Sequence, residues 1–182
     1  MASAKAEADP VDERQRIRDL RAEIVVRHAH SENVHEFETT LDTFTHPHYE
    51  LIPTGQQPDT RQGVDEYYHA TRATFPDQRN TEMVLRHADD AVIAEFFLEG
   101  TMQGSLQGLP PTGKRFRLRT VAIFVFEHDT ANLINERCYF DLYSMLQQLG
   151  LLPIALAAGV AMPKAEIPID ANEPGVFSVD TR

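Results

Sequence analysis

The sequence predicts an α+β fold in which a strongly bent antiparallel sheet wraps around N-terminal helices. Three observations predict it. Apolar residues recur at helical spacing up to Phe44 and again from Val64 to Phe75; four β-rich runs follow between Thr81 and Phe140; and a helical rhythm returns after Asp141. Helices first and consecutive strands afterwards, joined by short turns, describe a meander with one open end, where a pocket would form.

The elements follow in order. Asp9-Pro10 reads as a helix start, with Asp9 as cap, proline at the first helical position, and Asp12 and Glu13 at the positive dipole end. Ile17, Leu20 and Ile24 carry that helix on. Val34, Phe37, Leu41 and Phe44 repeat its rhythm, and Ser31 is a candidate cap for a second segment. His46-Pro47 stops it. His48 to Ile52 reads as a short strand, and Val64 to Phe75 as a further helix. The β-rich runs are Thr81 to His87, Ala91 to Gln103, Arg115 to Phe126 and Leu133 to Phe140. Asp89-Asp90, the turn from Gly108 to Gly113, and His128-Asp129 separate them. Leu142, Met145, Leu146 and Leu149 form a last helical stripe before Gly150 and Pro153. Residues 1–8 read as a disordered tail, 9–152 as the domain, and 153–182 as an extended or loosely docked extension.

With 182 residues, 42% hydrophobic and 25% charged, the chain can bury a core, and a wholly disordered protein is excluded. A net charge of −11 repels phosphate backbones and anionic membranes, so neither nucleic acid nor membrane is expected as a partner. The basic run Lys114, Arg115, Arg117 and Arg119 alternates as one solvated strand face. A single cysteine, Cys138, and no secretory segment after Met1 imply a cytoplasmic protein.

Asp141 is the strongest candidate for chemistry. It ends a strand whose alternate residues Asn135, Arg137 and Tyr139 should share its face. A carboxyl in a dry pocket has its pKa raised toward a useful range for proton transfer. Asp141 also precedes a helical stripe, the preferred place for an N-cap, which would depress its pKa instead. Arg137 is placed to bind a substrate carboxylate or enolate, and Tyr139 to donate to an oxyanion. Glu50 shares a face of the first strand with His48 and is a candidate second carboxylate. His35 is expected on the inner flank of the first helical region. Phe124 is one of several aromatics that would be core or pocket wall. The pairs His28/His30 and His46/His48 invite a metal reading, but no third ligand has a recognisable spacing.

Six segments then occur in order: Gly63-Val64 with Tyr67-Tyr68; Phe75-Pro76-Asp77; Ala88 to Val92; Gly100-Thr101; Gly108 to Lys114; and Tyr139-Phe140-Asp141-Leu142 with Gln148-Leu149-Gly150. Together they resemble the SnoaL-like polyketide cyclases of the nuclear transport factor 2-like superfamily, over roughly residues 30 to 152. The resemblance implies a cone-shaped α+β barrel with a deep pocket, a homodimer or higher homo-oligomer, and no metal or organic cofactor. It implies Asp141 as general acid/base in an intramolecular aldol closure of a small hydrophobic carbonyl compound. The chain departs from the pattern in its long turn from Glu127 to Leu133, in having no tryptophan, and in carrying Ile52 where steroid isomerases of the superfamily place a base. A non-catalytic ligand-binding protein of the same fold is one alternative. An epoxide-opening hydrolase using Glu50, Arg137 and Asp141 is another.

Overall fold

The computed structural model describes residues 10–152 and 176–177. The expected tail at 1–8 and nearly all of the expected extension lie outside them. Helix α1 spans Pro10–Asn33, α2 Phe37–Leu41, α3 Thr60–Thr74 and α4 Leu142–Gln148. The strands are β1 Tyr49–Leu51, β2 Arg79–His87, β3 Ala91–Thr101, β4 Arg115–Phe126, β5 Leu133–Tyr139 and β6 Val176–Phe177. They form one curved, open sheet in the order β1-β5-β4-β3-β2-β6. The fold is therefore α+β, with the helices against the concave face.

The meander holds from β2 to β5, all antiparallel. Strand β1 does not continue it: it lies parallel to β5, pairing Glu50 with Arg137. Helix α3 and strands β2–β4 lie between them in sequence, and β5 then comes back beside the edge strand β1 in the same direction.

Two elements differ from the periodicity. Helix α1 ends at Asn33, and His35, at φ 62°, turns the chain into the short α2. Ser31 is therefore not a cap; it is buried inside α1 and donates to the His28 carbonyl at 3.0 Å. The buried stripe of α1 is also not Ile17–Leu20–Ile24. Leu20 is 38% exposed, whereas Arg21, Val25, His28, Ala29 and Glu32 are buried. Arg21 donates to the carbonyls of Asp89, Glu127 and Thr130 at 2.7–3.1 Å, tying two inter-strand turns to the helix. Helix α3 starts four residues earlier than the apolar pattern, because Asp59 caps it by accepting from the Thr60 N–H at 2.9 Å.

The main core joins α1, α2 and α3 to the sheet through Val25, Leu41, Tyr68, Phe96, Ala122 and Phe124. A second cluster of Phe75, Phe116, Leu118, Met145 and Leu149 seats α4 at the other end, with Leu98 touching both. No helix among the described residues is long and apolar enough to cross a membrane.

Candidate active site

Strand β5 decides which side chains meet the interior. Phe126 lies opposite Leu133, but Val125 lies opposite Asn135, so Ile134 is an extra residue in the ladder. Simple alternation from buried Leu133 would send Asn135, Arg137 and Tyr139 inward. The bulge inverts that parity, and Glu136 and Cys138 line the interior instead.

The expected set is thus only partly brought together, and on the outer face. Arg137 donates to Glu50, as does the Asn135 amide at 2.9 Å. The Arg137 hydrogen bond holds the Glu50 carboxyl below its ordinary range. His48 sits 3.7 Å from Glu50 and, through its other ring nitrogen, 3.2 Å from Asp59. Tyr139 is 42% exposed on the same side.

Asp141 occupies the N-cap of α4 and accepts from the Ser144 N–H at 3.0 Å and from the Ser144 hydroxyl. It is exposed, and the Ser144 hydrogen bonds lower its pKa. Of the two roles open to it, this placement is the cap, and the expectation of a dry pocket around it is corrected. His35 lies in the exposed α1–α2 turn, stacked on Phe37 at 5.6 Å, its pKa lowered by partial burial and then by Arg72. Phe124 is buried, 5.3 Å edge-on to His28 and paired across the sheet with Glu136, but it does not line the cavity.

A pocket was expected, but not the residues that line the interior cavity. Its volume is about 30 Å³, enough for roughly two waters. Its polar walls include Glu32 from α1, Tyr49 from β1, Tyr67 from α3, Gln78 ahead of β2, Thr120 from β4 and Glu136 from β5. Glu32 is satisfied: Arg72 pairs with it at 2.9 Å and the Asn80 amide donates at 3.2 Å, all three side chains being buried. Glu136 is not. One of its oxygens accepts from the Cys138 thiol at 3.2 Å. The other, Oε2, is buried and has no aligned donor among the described residues. His28 Nε2 lies 3.0 Å from it, but the ring's hydrogen-bonding direction is taken by the Tyr49 hydroxyl at 2.8 Å. Tyr49 in turn contacts the Tyr68 hydroxyl at 2.6 Å.

Burial sets the electrostatics. It pushes the Tyr49 and Tyr68 phenols far above their ordinary range, so both stay neutral hydrogen-bonding groups. It does the same to Tyr67 and, with help from Glu136, to the Cys138 thiol, which is therefore a poor nucleophile. The Tyr67 hydroxyl and Gln78 amide border the cavity and make no side-chain hydrogen bond among the described residues. His46 and His48 converge on the single carboxylate of Asp59, and no group of three His, Cys, Asp or Glu among the described residues is arranged for a metal.

A curved, open sheet with N-terminal helices packed on it is the architecture of the ketosteroid isomerase-like fold. A protein of that fold from Catenulispora acidiphila, solved with trimethylamine, is 19% identical, covering 71% of this chain and 94% of its own, with a TM-score of 0.61. The SnoaL-like polyketide cyclase family model matches residues 21–149, and the chain belongs to that family. Among solved structures it is similar to a protein described as a SnoaL-like polyketide cyclase from Jannaschia sp. CCS1, 17% identical, covering 82% of this chain and all of that one (100%), TM-score 0.67. It is also similar to IdmH of Streptomyces antibioticus, described as a polyketide cyclase, 24% identical, covering 71% and 98%, TM-score 0.60. These likenesses carry the fold. No curated protein matches the chain in sequence.

Proposed function

We propose that this SnoaL-like protein is an acid/base enzyme of cyclase or isomerase type, acting on a small carbonyl compound with Glu136 as the proton-transfer group. One observation carries the reading: Glu136 Oε2 is a buried carboxylate oxygen bordering a cavity, with no donor aligned on it. A native interior seldom leaves such a group unsatisfied, and functional sites are where exceptions concentrate. Glu136 removes a proton from the carbon next to the carbonyl, and the electron pair moves onto the carbonyl oxygen. The Tyr67 hydroxyl and Gln78 amide are the donors available to that oxygen. Protonated Glu136 then returns its proton to the new alkoxide or to carbon. Because the cavity holds only about two waters, productive binding displaces water and parts side chains rather than filling a ready void.

The test is solvent deuterium exchange into 1,3-dicarbonyl probes followed by proton NMR. Exchange by the native chain falls about a hundredfold or more in Glu136→Gln and persists in Asp141→Asn. Loss in Asp141→Asn with retention in Glu136→Gln returns the role to Asp141. A second reading, a ligand-binding protein without catalysis, is favoured by the spending of Asp141 on its helix cap. Probes that bind without exchange would select it. Pairing of two copies across the outer sheet face, where Ile52 and Tyr139 are 45% and 42% exposed, belongs to the same proposal.

A further inference from the structure

His28 is 1% exposed, and its two ring nitrogens are held differently. Nδ1 lies 2.8 Å from the Thr43 hydroxyl oxygen. That hydroxyl donates its only hydrogen to the Thr40 carbonyl at 2.6 Å. Thr43 can therefore only accept from the ring, and Nδ1 must carry a proton whatever the charge of His28. The remaining question is Nε2, which faces the Tyr49 hydroxyl at 2.8 Å and Glu136 Oε2 at 3.0 Å. A bare Nε2 lone pair and an ionised carboxylate at that distance, both out of water, repel each other. One proton between them removes the conflict.

We infer that His28 and Glu136 hold one proton between them in the resting protein, with Thr43 as the positioning residue that fixes the ring. The inference rests on the reading of Glu136 as the proton-transfer group, but concerns its resting state. In one form His28 is imidazolium beside a carboxylate; in the other it is a neutral Nδ1–H imidazole beside a carboxylic acid. The hydroxyl network serves both. With Nε2 protonated, Tyr49 donates to Tyr68; with Nε2 bare, Tyr49 donates to the ring and Tyr68 donates to Tyr49. When substrate delivers a proton to Glu136 the pair holds two, and one leaves with product. Against the ring stand Thr43 and Phe44 after α2, Tyr49 from β1, Phe124 from β4 and Glu136 from β5, with Tyr68 of α3 bonded to Tyr49, Cys138 bonded to Glu136, and Glu32 one turn further along α1. Glu32 is engaged by Arg72 and Asn80, and burial keeps the phenols and the thiol neutral. Glu136 is thus the ionisable group left to exchange protons with His28.

The experiment is NMR on the full chain carrying nitrogen-15 histidine and carbon-13 glutamate, titrated between about pH 5 and 8. Signals are assigned with His28→Gln and Glu136→Gln. We expect His28 Nδ1 to stay protonated throughout, with the Nδ1–H tautomer favoured about tenfold or more, the scale of one buried hydrogen bond. We expect the Nε2 and Glu136 carboxyl signals to move together. Thr43→Val abolishes the tautomer preference and Thr43→Ser restores it. A neutral ring protonated at Nε2, or a Glu136 signal that moves without His28, overturns the inference, and both are read in the native protein without any variant. Coupled signals without deuterium exchange in any probe would instead sink the enzymatic reading and leave the shared proton standing.

Discussion

Of two interior carboxylates, Glu32 and Glu136, and two outer ones, Glu50 and Asp141, three are held by donors that favour their charge and Glu136 is not. Glu50 is bonded by Arg137 and Asn135, and Asp141 by the first turn of α4; both are lowered in pKa by partners that favour the charge. Inside, Glu32 has a buried guanidinium and an amide, whereas Glu136 has a thiol, an off-axis imidazole and one empty side. Charged side chains are therefore no guide to the site by themselves. A carboxylate saturated by donors is stable and inert; an enclosed one short of donors can take a proton from a ligand.

The largest effect should come from breaking the interior pair. Arg72→Met leaves Glu32 buried without its cation and costs about 3–5 kcal/mol in denaturant melts; a smaller loss would mean that Asn80 suffices. Next is the roughly hundredfold fall in exchange for Glu136→Gln, equivalent to about 2.7 kcal/mol of barrier. Asp141→Ala should lower stability by about 1 kcal/mol, while Asp141→Asn, which keeps a capping oxygen, loses less. The pH dependence separates the native chain from both variants. Because the folded-state pKa of Asp141 is depressed, its contribution is present above the unfolded value and disappears as pH falls through the folded one, from roughly pH 4 downward. The acid limb of a stability profile should flatten in Asp141→Asn. The smallest change is Arg137→Gln, under about 1 kcal/mol for a half-exposed pair. Finally, Tyr139→Asp tests the outer face as a self-association surface: sedimentation should show a dimer for the native chain and a monomer for the variant.

The order of helices and strands was legible because turn residues and proline mark nearly every boundary. The β1–β5 parallel pairing was not, since sequence order favours neighbours. Within the site, Glu50 and Arg137 were each expected to face the pocket, and instead they pair with one another on the outer side. Alternation fixes which residues share a face; the bulge at Ile134 changes which face that is, and nothing about an isoleucine announces it. His28 and Glu32 were hidden for a different reason. The buried stripe of α1 runs Arg21, Val25, His28, Glu32, mostly polar, while its apolar residues Leu20 and Ile24 are exposed or half-buried. Polar groups recurring at helical spacing beside Val25 and Ala29 were the available signal.

The extra residue at Ile134 has a consequence for anyone comparing relatives position by position. A gap opened or closed in this strand is not a neutral shift of one place, because it exchanges the lumen for the exterior. Two chains aligned through it can match Asp141 to an aspartate and still present different carboxylates to their ligands, so transfer of a catalytic assignment must follow the hydrogen-bond ladder rather than the letters.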